Sequence, residues 1–426
     1  MNNSTITRTL AGGIRLSVVA ALLALLTGLL AVTQPARANN YVVTNTNDSG
    51  RGSLRQAITN ANNNPGADTI TFAATTDGNP IVLAEAAGEN ANVSGDLDIL
   101  NGGDLTIQGN GTANTIVDGG GIDRVFHVCP SGVCAHTVTF SGVTIRNGST
   151  ADYGGGIRNE AGTTIVDSST VSANMAYYGG GIFNAATLNV QNGSIIGGVG
   201  AGNQANLGGG IYNRGGTTTV TGSTVSANTA IYGGGILNEA TLNVQNGSTI
   251  GGAGAGNTAT NGGGGIYNET GTTTVNGSTV NANTASWGGG IYNRTGTTTV
   301  DGSTVSANTA NSDGGGIYNW GSTTTVTGSR ILNNTATTNG GGVYNNDNHA
   351  GATSVTSSCI VDNSATSYFN NQTAQQIATG NWWGAATGPN TPGADTVGGG
   401  SVDTSGYLTK PILGCYFYVY LPLVLK

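Results

Sequence analysis

Residues 288–313 read Gly288-Gly-Gly-Ile-Tyr-Asn-Arg-Thr-Gly-Thr-Thr-Thr-Val-Asp-Gly-Ser-Thr-Val-Ser-Ala-Asn-Thr-Ala-Asn-Ser-Asp313, and Gly314-Gly-Gly-Ile-Tyr-Asn319 then starts the same pattern again. Its β-branched residues come in short runs, Thr297–Val300 and Thr304-Val305, separated by Asp-Gly and by glycine, which is the chemistry of strands and turns. No apolar period of 3.6 residues runs through it, so it does not predict a helix. Three short strands and three turns in one such unit can close a single coil of a parallel β-helix, whose coils stack at the strand spacing of ~4.8 Å.

The unit extends in both directions. Gly-Gly-Gly-Ile/Val-x-Asn occurs eight times, with its aliphatic residue at Ile157, Ile182, Ile211, Ile236, Ile266, Ile291, Ile317 and Val343, at steps of 25 to 30 residues. Thr-Thr-Thr-Val recurs at 217–220, 272–275, 297–300 and 323–326. A Val/Ile-x-x-Asn element follows, ending at Asn174, Asn228, Asn283, Asn308, Asn334 and Asn363. A propeller blade needs roughly 40–45 residues, and leucine is too sparse for a leucine-rich repeat. The sequence therefore predicts an all-β chain, a right-handed parallel β-helix of about 11 or 12 coils over residues 76–380. Stacked asparagines can hydrogen-bond from coil to coil and form a structural ladder, and the glycine triplets suit a tight corner. Two longer coils, with Gly197–Asn203 and Gly251–Asn257, read as loop insertions; they lack the aspartates a calcium-binding repeat needs.

Both ends of a solenoid need covering. Residues 39–75 predict an N-terminal cap: a strand at Tyr41–Thr44, then a short helix starting at Ser53, a capping-box pair with Gln56, and burying Leu54, Ala57, Ile58 and Ala61. Residues 381–426 predict a C-terminal cap, with Trp382 and Trp383, followed by an apolar tail.

Composition narrows function. The 426 residues hold 74 glycines but only 8 prolines and no strict third-residue glycine register, which excludes a collagen triple helix. With 13 Lys+Arg against 21 Asp+Glu, the chain lacks the clustered cations of a nucleic-acid binder. Residues 1–38 read as a signal peptide: Arg8 and Arg15, an apolar run from Leu16 to Val32, and the small-residue site Ala36-Arg37-Ala38. Cleavage there predicts an acidic extracellular or surface chain with no transmembrane segment. Four cysteines suit an oxidising compartment: Cys129 and Cys134 are close enough to bridge, leaving Cys359 and Cys415 to tie the C-terminus to the body. A zinc site built on one C-x4-C and three histidines (His127, His136, His349) is a weaker reading, and no metal or cofactor is expected.

The cap segment Leu54-Arg-Gln-Ala-Ile58, with Asn64-Pro-Gly-Ala-Asp-Thr-Ile-Thr-Phe72, resembles the CSLREA domain, with Gly52 and Gln56 where that domain has Cys and Glu. The Gly-Gly-Gly-Ile-x-Asn and Val-x-x-Asn units resemble the GGAI and FxxN repeats of polymorphic outer-membrane proteins, and the two similarities together span roughly 41–412. The resemblance implies an exported, surface-exposed or secreted β-helix protein, with adhesion as the usual role of the outer-membrane relatives and no assigned reaction. The 43 residues after Trp383 are too few for a membrane β-barrel, so an outer-membrane location would need another route of attachment.

Two features could carry function. The residue after each motif Ile/Val is Arg158, Phe183, Tyr212, Leu237, Tyr267, Tyr292, Tyr318 and Tyr344. If Ile and Asn point inward, strand alternation sends it outward, so Phe183, Tyr212, Tyr267, Tyr292, Tyr318 and Tyr344 would form an exposed aromatic strip for a glycan or a protein partner. The same rings could instead stabilise the sheet by stacking on one another, and the two readings are compatible. Glu160, Glu239 and Glu269, with Arg214 and Arg294, share the position after the motif Asn, which could bring Glu269 and Arg294 together. Asp96 and Asp98 face the same way with no base nearby in sequence, and no nucleophile–base–orienter set is visible, so no catalytic residue is assigned. The leading expectation is a non-catalytic, adhesin-like binder. A polysaccharide lyase or glycoside hydrolase on the same fold and a purely structural envelope protein are the alternatives.

Overall fold

The computed structural model describes residues 37–84, 90–100, 102–346, 351–412 and Cys415. The expected signal peptide lies outside these residues but for its last two, as do His349 and the apolar tail beyond Cys415.

Each repeat delivers one strand to each of three long parallel sheets, of 14, 12 and 11 strands, in unbroken chain order. The unit quoted above contributes Thr297–Asp301 to the first, Ile291–Asn293 to the second and Thr304–Ser306 to the third. A fourth sheet of five short strands runs from Thr229–Tyr232 to Thr335–Ala336. Register follows the motif: Ile266, Ile291, Ile317 and Val343 pair in one column, Tyr267, Tyr292, Tyr318 and Tyr344 in the next, and Asn268, Asn293, Asn319 and Asn345 in the third. The chain is thus an all-β parallel solenoid. It has fourteen rungs in its longest sheet, more than the 11 or 12 coils counted from the sequence. The extra rungs come from the ends. Asn40–Val43 and Asp68–Phe72, read as a cap, are the first two strands of that sheet, and Gln376–Ile377 and Val402–Asp403 are its last two.

The core is a column of Val, Ile and Leu side chains inside the coil, almost all with no exposed surface. Alternation places them: in Thr297–Asp301 the even positions, Thr298 and Val300, are buried, and the odd ones face outward. The glycine triplets are explained by space as well as by dihedral. Gly288 has φ +61°, and a Cβ on Gly289 would lie 2.4 Å from the Thr309 carbonyl oxygen of the next coil.

Two polar ladders run through this apolar interior. In the first, the side-chain amide nitrogen of Asn174 donates to the Oδ1 of Asn203, and the relay continues through Asn228, Asn257, Asn283, Asn308 and Asn334 to Asn363, every step at 2.9 or 3.0 Å. The expected six asparagines are all in it. Asn203 and Asn257 complete it, so the two insertions also return an asparagine to the stack. The motif asparagines form a second ladder, Asn159 to Asn370, at 2.7–3.3 Å.

At the N-terminal end one helix, α1 (Leu54–Asn62), packs Leu54, Ala57, Ile58 and Ala61 on the first coil. Ser53 Oγ accepts from the Gln56 amide at 3.2 Å, while the Gln56 side chain turns to Asn60 instead of closing the box. Both disulfides form as expected, Cys129–Cys134 and Cys359–Cys415. No helix among the described residues is long and apolar enough to cross a membrane.

Candidate functional site

The second sheet carries one column on its outer face. Starting at the N-terminal end it runs Asp98, His127, Arg158, Phe183, Tyr212, Leu237, Tyr267, Tyr292, Tyr318, Tyr344 and Phe369, each paired with the next. The column begins charged and becomes aromatic. The two parts do different things.

In the aromatic part the expected stacking is present. Tyr267, Tyr292, Tyr318 and Tyr344 lie ring on ring, with centroids 4.8–5.0 Å apart and planes within 19° of parallel. The expected exposure is not. Phe183, Tyr212, Tyr267, Tyr292, Tyr318 and Tyr344 are all buried, the most accessible being Tyr292 at 8%. A second layer covers them. The residue before each of the first four glycine triplets, Tyr153, Tyr178, Leu207 and Tyr232, pairs with its equivalent in the next coil and packs onto the column. Sequence reasoning counted one row of rings where there are two.

The covering row is interrupted at the fifth triplet, and after Trp287 it gives way to Asp313 and Asn339. Between Tyr232 and Trp287 its member is Gly262, bridged to Trp287. A Cβ there would sit 3.1 Å from the Tyr267 ring and 3.2 Å from that of Tyr292, so the glycine backbone itself packs against the two ring edges and the row has no side chain at this point. The result is a groove of ≈ 530 Å³, floored by Tyr267 and Tyr292, walled by Tyr232, Leu207 and Trp287, and rimmed by Glu239, Glu269, Arg294 and Trp320. Trp287 is 40% exposed, so its indole offers a free face to the groove.

The rim is polar and ordered. Glu239 Oε1 accepts from the Tyr212 hydroxyl at 2.7 Å. Glu269 is ion-paired with Arg294, the contact the shared column position suggested. Burial raises the phenols of Tyr212 and Tyr267, and the neighbouring Glu239 and Glu269 raise them further. Both therefore stay protonated. Glu239 and Glu269 directly follow the paired Asn238 and Asn268 of successive coils. The groove thus combines flat apolar rings with two hydrogen-bond acceptors and one guanidinium. A larger, more open depression of ≈ 680 Å³ around Asp118, Asn147, Met175 and Gln204 has no aromatic wall, and its carboxylate is already paired with Arg146 at 2.8 Å.

In the charged part, Asp98 and His127 are buried side by side, with Asp96 beside them. His127 Nδ1 lies 3.5 Å from Asp98 Oδ1 and 4.0 Å from Asp96 Oδ2, and its Nε2 lies 3.4 Å from Glu160 Oε1. Arg124 Nε reaches Asp96 Oδ2 at 2.7 Å, and Arg158 pairs with Glu160 and with Asp152. Burial, then the charges of Arg124 and Arg158, lower the imidazole to about 3, so it is neutral. Asp96 and Asp98 face the same way, as expected, but the base that accompanies them, His127, comes from the next coil and was missed. The column position shared by residues 98, 127 and 158 was the available signal.

No family model matches this chain. Nor does any curated protein match it significantly. The groove and the charged cluster therefore rest on their own geometry.

Proposed function

We propose that the protein is an exported, non-catalytic, adhesin-like β-helix protein, of the CSLREA and polymorphic outer-membrane kind, that holds a segment of a carbohydrate chain in the groove at Gly262. The observation that carries this reading is the interruption of the covering row at Gly262, beside the exposed indole of Trp287. There that indole, the edges of two tyrosine rings and a carboxylate–guanidinium pair meet in one concave site of a size usual for ligands. Sugar rings present apolar C–H faces and a fringe of hydroxyls. The faces suit Trp287 and Tyr232, and the hydroxyls suit Glu239, Glu269 and Arg294. Two disulfides agree with an oxidising, extracellular setting.

One observation favours a second reading, glycoside hydrolysis. Two carboxylates, Glu239 and Glu269, line the same groove, and such hydrolysis uses a pair of them. Each carboxylate is already held by a donor, Tyr212 or Arg294, which suits an acceptor of hydroxyl groups better than a general acid. Titration of the purified chain with neutral and acidic polysaccharides tests both readings. Trp287→Ala and Gly262→Leu, one removing a wall and the other filling the gap, should each weaken binding about tenfold or more. A wild-type chain that binds none of the polysaccharides, or variants that bind as well as it does, would leave the structural envelope role standing. Release of reducing ends that Glu269→Gln abolishes would make the protein an enzyme.

A further inference from the structure

The donor atoms of Asp96, Asp98 and His127 all lie within 4.8 Å of one another and all three residues are buried. A zinc-type ion with bonds of about 2.0–2.2 Å in a tetrahedral shell keeps its ligand atoms about 3.3–3.5 Å apart. The observed 3.5 and 4.0 Å between His127 Nδ1 and the two aspartates are too long for good hydrogen bonds, and they close onto such an ion with small side-chain shifts.

The imidazole points the same way. His127 is 2% exposed, and its Nδ1 has no hydrogen-bond partner. If the ring proton sits on Nε2 and is donated to Glu160, the Nδ1 lone pair is aimed at two carboxylates. If it sits on Nδ1, the Nε2 lone pair faces Glu160 instead. A cation between Nδ1 and the aspartates removes the conflict. It also gives a metal-binding histidine its usual outer partner, a carboxylate on the opposite nitrogen. Charge agrees: the carboxylates of Asp96, Asp123, Asp152 and Glu160 are ion-paired with Arg124 and Arg158, and the buried Asp98 adds a further carboxylate beside His127.

We propose that Asp96, Asp98 and His127 bind one divalent transition-metal ion of the zinc class, which staples the N-terminal segment to the first coils. One imidazole and two carboxylates suit zinc or manganese, whereas calcium needs more oxygens. The staple joins separate elements. Asp98 and His127 lie on neighbouring strands, Leu97–Ile99 and Phe126–Val128, and the main-chain oxygens of Gly95 and Asp96 hold Arg55 of α1.

The test uses the whole mature chain without an affinity tag. It is refolded with zinc chloride present, freed of loose metal, and assayed by elemental analysis and zinc-edge X-ray absorption. About one zinc per chain is expected, with one imidazole and oxygen donors in its shell. Refolding with calcium chloride should add nothing to the melting temperature, and zinc should raise it. Asp98→Asn and His127→Ala should each lower zinc affinity at least about tenfold, while His136→Ala, outside the cluster, should not. Less than about 0.1 zinc per wild-type chain, or a shell without imidazole, overturns the proposal. Should the two ligand variants fail to fold, the wild-type stoichiometry and spectrum decide it alone.

Discussion

Replacing Asn283 by alanine tests the interior ladder at its middle. The Asn283 amide nitrogen donates to Asn308 Oδ1 at 3.0 Å and to the Ile250 carbonyl at 2.9 Å. Its Oδ1 accepts from the Asn257 main-chain N–H at 3.0 Å and from the Asn257 side-chain amide at 2.9 Å. Four hydrogen bonds at a net ~1 kcal/mol each are lost, and the Asn257 main-chain N–H is left buried without an acceptor, which costs about 1–3 kcal/mol more. The released side-chain entropy offsets about 1 kcal/mol, so we expect a destabilisation of about 4–6 kcal/mol. Urea unfolding followed by circular dichroism measures it, with hydrogen exchange reporting whether the loss is confined to the neighbouring coils. Asn311→Ala, on an exposed asparagine in the following turn, is the control and should stay within about 0.5 kcal/mol of wild type. If Asn283→Ala is no worse than Asn311→Ala, the ladder does not hold the coils together and the account of the buried asparagines is wrong.

The two disulfides should differ in weight. Cys359–Cys415 closes a separation of 56 residues and Cys129–Cys134 one of 5, so loop-closure entropy gives about 4 against about 2 kcal/mol; paired Cys→Ser variants in urea check this, and a larger loss at the short bridge would contradict it. Burial lowers the His136 imidazole despite the opposing pull of Asp104. Below about pH 6.5 the unfolded chain therefore binds a proton the folded chain does not, so stability is full above that value and falls as pH drops toward the folded one. His136→Gln should flatten the dependence of the urea midpoint between about pH 7 and pH 5, and an unchanged slope would remove His136 from the cause.

Much of this architecture was legible in the sequence because a solenoid repeats its instructions. Ile291 and Ile317 lie in equivalent coils, and the same spacing that identifies them stacks them. Legibility stops where the spacing breaks or where two columns meet. Asn203 and Asn257 follow no Val-x-x-Asn spacing, since each sits behind a glycine-rich insertion, yet the ladder needs them at its second and fourth steps. The tyrosines were placed on the correct face but expected to be exposed, because alternation along one strand says nothing about Tyr153, Tyr178 and Tyr232 arriving from the turn before. The groove depends on what is missing at Gly262, and one glycine among 74 carries no mark. Asp98 and His127 are 29 residues apart and outside the glycine-triplet motif, so only the register of the first coils shows them as neighbours.

The near-identity of successive coils also bears on how such a chain changes length. Residues 217–230 and 297–310 differ only at Thr221 and Asp301, and they start at equivalent points of the first sheet. Recombination between the two stretches would delete 80 residues as three complete turns and shorten the rod by about 14 Å. Every surviving rung would still meet its neighbour in phase. Tyr232, Gly262 and Trp287 all lie within the excised portion, so a single crossover would produce a shorter, folded descendant that has lost the groove, with Asp313 following Leu207 in the covering row.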